Sequence, residues 1–498
     1  MEFKLLIKNT SFMMVSKIAQ FVAGLITTKL TALFLGITGV GIINQLNFLT
    51  QKISEFTTLS MAEAVVKQIA ENKNEKNAKE IISSAFKSYI ILVTLFSVIS
   101  IIILLLFSKA LSNYVFGNED LLSYFFIAVF TFPLLIIGSI PFAILKGYRD
   151  IKLISQIRIG IIIINLIFAV PLIYFYRLEG AVVYVPISYL VDMIFHFTIA
   201  QKLYFKKLGI SIKSISKASF RSDFVKELFH FSGFGITVGT YGIFSEFTCR
   251  SIVVSHLGIN QIGLYSPIIM WASVITGFLL PALSTYLYPR FCELKEKSEI
   301  VGLLNDALRL GSIVILPLIL IGIPFREIII SLFYSKEFIS AAKFLPYHFL
   351  GLIFYVWFYV FAQAMTPTGR IKQHGFFQIL YFSLDMLVTY YFVNKYGLYG
   401  WMLKHLISPL VFFIVYAIYS YKIMGFRVLK ENIIFMGFAL ISSFLLLLLI
   451  NVIEFGNLMA YFVGPLLLVG SFFFLKKSEK AFLYEKCNSL KKLIKIKL

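Results

Sequence analysis

The chain has 498 residues, of which 59% are hydrophobic and only 14% charged, and its mean hydropathy is +0.86. Soluble domains run near about 45–50% apolar and about 25% charged, so a water-soluble fold is excluded. Lys and Arg number 46 against 25 Asp and Glu, a formal charge of +21, which in a membrane chain reads as the positive-inside bias of loops and not as a nucleic-acid surface.

A spanning helix needs about 20 apolar residues, and in chain order the sequence offers about fourteen such stretches. They are 11–35, 41–66, 81–107, 121–145, 153–175, 179–204, 227–256, 261–289, 300–323, 341–365, 373–394, 397–421, 431–453 and 457–475. The segments between them are short and polar, with no room for a soluble catalytic domain. The first stretch is too long for a cleavable signal, carries Lys17 and Gln20, and lacks a small-x-small cleavage site. Alternate loops hold about thirty-two basic residues on one side, from Lys4 and Lys8 to the tail after Lys476, against about five on the other: Lys109, Arg177, Arg326, Lys336 and Lys395. Both termini are therefore expected in the cytoplasm, which requires an even number of spans. The tail alternates Lys with Phe482, Leu483, Leu490, Leu493 and Ile494. It reads equally as an amphipathic helix on the anionic leaflet and as a disordered basic end.

An internal repeat is visible. Leu35-Gly36-Ile37-Thr38-Gly39-Val40-Gly41-Ile42 recurs as Leu257-Gly258-Ile259-Asn260-Gln261-Ile262-Gly263-Leu264, each after a first long span and before a second. Asp150-Ile151-Lys152 is echoed by Arg370-Ile371-Lys372. Hydropathy repeats as well, six spans and then six. Because six is even, the repeat is parallel, and two six-helix lobes with a substrate path between them are a transporter architecture. The expected order is an N-terminal lobe at 1–205, a basic linker at 206–226, a C-terminal lobe at 227–421, an additional hairpin at 422–475 and a basic tail at 476–498.

Ionisable groups inside spans are costly, so each needs a partner, water or a function. The first span carries Lys17 and Lys29, and the second carries Lys52, Glu55 and Glu63, with positions 52 and 63 about three turns apart on one face. Glu246 and Arg250 in the seventh span, and Asp192 and His196 in the sixth, stand at i,i+4. These pairs read either as local register-keeping pairs or as functional groups. Lys29 lies close enough to a span end to snorkel, whereas mid-span Lys52 is the stronger functional candidate. Lys29, Lys52 and Arg250 fall on corresponding first and second spans of the two lobes, which predicts a cationic cleft suited to phosphate or carboxylate. Further charges sit at Arg158, Asp306, Arg309, Asp385, Lys404 and His405. Templates for nucleotide, zinc or serine-nucleophile chemistry are missing, and Cys249, Cys292 and Cys487 lie far apart with no CxxC. No cofactor or metal is expected, and the energy must come from a gradient or another subunit.

The run from Lys29 through Gly36, with Gly39 and Gly41 after it, resembles the first loop of Wzx-type polysaccharide flippases of the multidrug/oligosaccharidyl-lipid/polysaccharide exporter superfamily. Phe116-Gly117-Asn118, Leu145-Lys146-Gly147-Tyr148-Arg149-Asp150 and Tyr288-Pro289-Arg290 carry the resemblance further, over roughly the first 420 residues. It implies an all-α, MATE-like, V-shaped two-lobe bundle. Such a bundle flips an undecaprenyl-diphosphate-linked oligosaccharide across the bacterial inner membrane, driven by a proton or sodium gradient. By position Lys29 matches the family's basic residue in the first helix and Arg250 the one in the seventh. Lys52 matches more loosely, and Lys17 joins them as a diphosphate ligand. Glu246, Glu55, Glu63 and Asp192 are the candidate ion-coupling carboxylates. Membrane lipids, a polysaccharide polymerase and a chain-length regulator are the implied partners. The last two spans depart from the twelve-span pattern, and fourteen-span relatives use such a pair as a lipid groove.

Two other readings stay open on sequence alone. A cation-coupled drug or metabolite exporter of the same superfamily would show proton-driven efflux of a cationic dye, though unpaired acids in the spans are few. A membrane-embedded polymerase or transferase would need a sizeable loop to hold its acceptor, and the sequence has none.

Overall fold

The structure is a computed structural model that describes residues 2–58, 61–148, 150–453, 455–481 and 484. Among the described residues the regular structure is helical throughout. The long elements are α1 (Glu2–Thr58), α2 (Met61–Asn72), α3 (Ala78–Leu106), α4 (Ser108–Phe116), α5 (Leu122–Gly147), α6 (Ile151–Ala200) and α7 (Ser222–Leu257). They continue with α8 (Ile259–Glu293), α9 (Lys297–Gly322), α10 (Arg326–Phe333), α11 (Leu345–Met365), α12 (Ile371–Tyr396), α13 (Leu398–Met424), α14 (Lys430–Val452) and α15 (Gly456–Ser471). Eleven helices among the described residues are long and apolar enough to cross a membrane.

Two of those helices each hold a pair of the expected spans. An unbroken helix of 57 residues would run about 85 Å, far beyond the roughly 30 Å hydrocarbon core, and α1 is interrupted at Gly36, with φ 63° and ψ −168°. A side chain is disfavoured in that conformation, which accounts for glycine there. The α6 helix breaks at Arg177, a non-glycine residue at φ 52°. Its guanidinium lies 4.3 Å from the Phe34 ring centroid, a cation–π contact that helps hold the strained bend. Beyond the bend, a Cβ on Gly180 would stand 1.9 Å from the Leu172 carbonyl oxygen, so only glycine lets the two arms approach.

The expected second span, 41–66, is described as α1 up to Thr58 and as α2 from Met61. That helix is amphipathic, burying Met61, Val65, Gln68 and Ile69 while Glu63, Lys67 and Glu71 stay exposed at i,i+4,i+8. A charged stripe of this kind suits an interface and not a continuation of the span.

The chain divides into two compact units. The first comprises Met1–Pro267, Ser331–Ile339 and Gln378–Leu398; the second comprises Ile268–Ile330, Ser340–Phe377 and Tyr399–Leu498. In the first unit the core gathers on α1, α3, α5 and α6 around Leu46, Phe86, Phe125 and Phe132, all fully buried. The 206–226 stretch is docked on α3: Lys87 donates to the carbonyls of Ser216 (2.9 Å) and Ala218 (2.6 Å), and the Arg221 amide donates to Ser88 Oγ (2.9 Å).

The sequence repeat reappears here as a reciprocal contact. Gly36 and Gly258 both take positive φ, at 63° and 87°. A Cβ on Gly41 would meet the Ile259 carbonyl oxygen at 2.4 Å, and one on Gly263 would meet the Ile37 carbonyl oxygen at 1.9 Å. Asn44 donates to Ser266 across the same axis, a separation of 222 residues. Copies that exchange equivalent contacts define a local pseudo-two-fold axis, and glycine at its centre lets two helix backbones touch.

In the second unit the Trp357 indole donates to Ser312 Oγ (2.7 Å) between α11 and α9. The C-terminal hairpin α14–α15 is tied to α9 near one end by Arg309, which is 4% exposed. Arg309 makes a two-pronged contact with Glu479 (2.5 and 2.9 Å) and donates to the Phe474 carbonyl (2.8 Å). At the other end Arg326 of α10 donates to Asn457 Oδ1 (2.5 Å), and Gly464 admits the backbone of Leu320. Most of the amphipathic tail expected at 476–498, and Cys487 with it, lies outside the described residues.

Candidate functional site

The second arm of α1 and the middle of α7, both in the first unit, bring four charged side chains into one cluster. Lys52 Nζ stands 2.9 Å from Glu55 Oε2 and 3.3 Å from Glu246 Oε2. Arg250 Nε stands 3.8 Å from Glu246 Oε1. Glu246 is thus shared by both cations. The local halves of this arrangement follow from helix geometry, since Lys52–Glu55 is an i,i+3 pair and Glu246–Arg250 an i,i+4 pair. The Lys52–Glu246 bridge between the helices is tertiary.

Two uncharged residues complete the site, and sequence reasoning passed over both. Arg250 Nη1 donates to Gln45 Oε1 (3.0 Å), and Gln45 in turn donates to the Val115 carbonyl (2.8 Å). The guanidinium lies 4.0 Å from the Phe48 ring centroid, and Phe48 packs on Phe247 at 4.8 Å. Residues 45, 48 and 52 follow the 3–4 spacing of one helix face, so a buried Gln two turns before a mid-span Lys was the available signal.

Burial within the cluster is uneven. The cations are the more enclosed members, with side-chain exposures of 12% for Arg250 and 21% for Lys52, against 42% for Glu246 and 55% for Glu55. The two cations and two carboxylates cancel, so the excess of cations expected in the cleft is not what this cluster shows. Its cations are masked by better-solvated acids. Such a set can accept an external anion, provided that the carboxylates move aside or lose their charge.

The remaining candidate residues lie elsewhere. Lys29 Nζ donates to the carbonyls of Ser331 (2.7 Å) and Tyr334 (2.6 Å), satisfying the C-terminal end of α10. Lys17 is half-buried on the first arm of α1 and engaged in contacts of its own. Glu63, on α2, lies 3.9 Å from Lys146. Asp192 is half-buried on α6, and His196 Nδ1 donates to its backbone carbonyl (2.8 Å) and not to its carboxylate.

Residues 6–295 match the family described as polysaccharide biosynthesis protein, a stretch that contains the whole charged cluster. The chain belongs to that family. The family member described here is similar in sequence to a protein named for O-antigen transport in Shigella flexneri, with 22% identity over 365 residues covering 71% of this chain and 84% of the relative. It is similar to lipid III flippase of Escherichia coli (strain K12), with 20% identity over 406 residues covering 80% and 94%. Its fold is that of lipid II flippase MurJ in an inward closed conformation, at a TM-score of 0.67 and 16% identity, covering 92% of this chain and 98% of the other. A multidrug resistance MATE family transporter of the MOP superfamily, in its inward-facing conformation, follows at 0.64 and 15%, covering 82% and 94%. The all-α, MATE-like transporter fold expected from the sequence is therefore the fold of this family member, a multi-pass membrane protein. The relatives and neighbours named here are flippases and transporters, not enzymes.

Proposed function

We propose that the protein flips an undecaprenyl-diphosphate-linked oligosaccharide repeat unit from the cytoplasmic to the periplasmic leaflet of the bacterial inner membrane. The product feeds O-antigen or capsule-type polysaccharide synthesis, both termini lie in the cytoplasm, and polymerase and chain-length regulator act on the flipped unit. The observation that supports this most is the cluster in which two enclosed cations, Lys52 and Arg250, are masked by two better-solvated carboxylates. A lipid diphosphate carries the charge and the bidentate oxygens that a guanidinium favours.

Charge balance gives the coupling. The cluster is neutral as it stands, so an arriving diphosphate leaves an excess of negative charge. Glu246 and Glu55 relieve it by taking up protons or sodium ions, or by turning to water. Binding of the substrate and uptake of the ion then favour the same state, and the two lobes alternate their access around it. Lys29 joins the path when α10 releases it, and Lys17, Glu63 and Asp192 serve as outlying charges along it.

Complementation tests the reading. The gene is deleted, wild type or Arg250→Ala is restored at equal expression, and surface polysaccharide is measured beside lipid-linked units retained inside. Loss of polysaccharide with trapped units, in both the deletion and Arg250→Ala, is the expected result. Unchanged polysaccharide in the deletion, with altered sensitivity to cationic compounds, overturns it in favour of an exporter.

A further inference from the structure

A cavity of about 180 Å³ lies between the arms of α1 and α6 in the first unit. Thr27, Thr31, Asn44, Asn47 and Ser188 make its wall polar, and these residues fall within membrane-spanning helices. At that depth such a wall requires water, and the space holds roughly six molecules at about 30 Å³ each. On α1 the lining runs from Thr27 to Thr31 before the Gly36 bend and from Val40 to Asn47 after it. The cavity therefore begins about 6 Å of helical rise from the bend and ends about 17 Å from it. The bends at Gly36 and Arg177 mark the end of the spans that carries few basic residues. Water so close to that face joins the aqueous phase there unless something covers it.

The cover comes from far along the chain. Among the described residues that line the cavity, all lie on α1 or α6 except Tyr334. Tyr334 follows α10, in the 331–339 segment that belongs to the first unit. It is 3% exposed, and its ring packs at 4.9 Å on fully buried Phe338. The same segment crosses the α1 bend, where a Cβ on Gly36 would stand 3.2 Å from Glu337 Oε2. Lys29 fastens it. Its ammonium donates to the carbonyls of Ser331 (2.7 Å) and Tyr334 (2.6 Å) across 302 and 305 positions of sequence. Both acceptors lie where α10 ends, at the negative pole of a helix whose last carbonyls have no partner in the helix itself. Lys29 falls between Thr27 and Thr31, so the fastening stands at the rim of the cavity.

We propose that Lys29 is a latch, holding Tyr334 as a lid that shuts the water-filled cavity off from the face of the membrane poor in basic residues. Two charge-assisted hydrogen bonds hold the lid, and their release opens the cavity to that face. The latch does not depend on what the protein carries.

The test reads thiol labelling by a membrane-impermeant maleimide. The full chain carries Ser in place of Cys249, Cys292 and Cys487, and Ser188→Cys is the reporter in the cavity. Thr38→Cys, exposed on the bend, labels from one face of sealed vesicles and so fixes the face to which the reagent is applied. From that face Ser188→Cys is expected to label slowly beside native Lys29 and about tenfold faster beside Lys29→Met. Tenfold is about 1.4 kcal/mol, within the worth of hydrogen bonds to a charged group. Lys29→Arg, which still donates, keeps the slow rate. Tyr334→Ala, which keeps the carbonyl and loses the ring, also speeds labelling. Ser83→Cys, buried in the same unit, stays unlabelled in every variant and reports that each is folded. Equal rates beside Lys29 and Lys29→Met, or Lys29→Arg as fast as Lys29→Met, overturn the latch. If Lys29→Met exposes Ser83→Cys too, Tyr334→Ala decides, and an unchanged rate there overturns the lid.

Discussion

Substituting Glu246 by Gln separates masking from binding. Glu246 lies 3.3 Å from Lys52 and 3.8 Å from Arg250. At an effective dielectric near 20 those distances correspond to about 5 and about 4 kcal/mol, and in bulk water to about 1 kcal/mol each. The Glu246 side chain is 42% exposed, so solvent screening pulls the sum toward the lower figure, roughly 1–2 kcal/mol in all. A diphosphate must displace this carboxylate to reach the cations, whereas the isosteric Gln leaves them unmasked. Glu246→Gln is therefore expected to tighten binding of undecaprenyl diphosphate about tenfold, each tenfold being about 1.4 kcal/mol. The gain should shrink as salt is raised from 0.05 to roughly 0.5 M, because part of it is screened. Under the proposed coupling, transport by the same variant should fall, since the carboxylate assigned to the coupling ion is gone. Equilibrium binding to the purified protein and flipping in reconstituted vesicles measure the two effects. Binding that is unchanged or weaker in Glu246→Gln refutes the masking argument.

Gly263→Ala places a Cβ 1.9 Å from the Ile37 carbonyl oxygen, whereas Gly302→Ala meets nothing described within 4 Å. The first is expected to lower the melting temperature by several degrees and to break the Asn44–Ser266 contact. The second should be neutral or raise stability by about 0.4–1 kcal/mol; equal melting curves for the two contradict the reciprocal contact. Glu479 gives a pH signature. Burial pushes its carboxyl up, but the hydrogen bond from Arg309, the Lys476 backbone amide and the charges of both residues outweigh burial and hold it below its usual value of 4.5. A depressed carboxylate contributes stability that is present above the unfolded value and lost as pH falls through the folded one. The melting temperature of wild type should thus exceed that of Glu479→Gln at pH 7, with the gap closing below pH 4.5. A gap that is constant with pH rules out the ion pair as its source.

Much of this protein is written locally and was legible in the sequence. Apolar runs of spanning length, the paired spacings Lys52–Glu55 and Glu246–Arg250, and the glycine-containing repeat all follow from the 1.5 Å rise and 3.6-residue turn of a helix. The contact between the two repeat segments was not read from the sequence: Gly36 and Gly258 both take positive φ, and the segments meet about a local axis. Tertiary structure decided which distant partners share a charge. It brought Glu246 to Lys52, sent Lys29 to the carbonyls of Ser331 and Tyr334, and set Glu63 beside Lys146. It also enclosed Arg309 against Glu479 across 170 residues. In a chain this apolar every helix face looks buried, so hydropathy does not say which face meets another helix and which meets lipid. Only packing, and the need to pair each charge withdrawn from water, makes that choice.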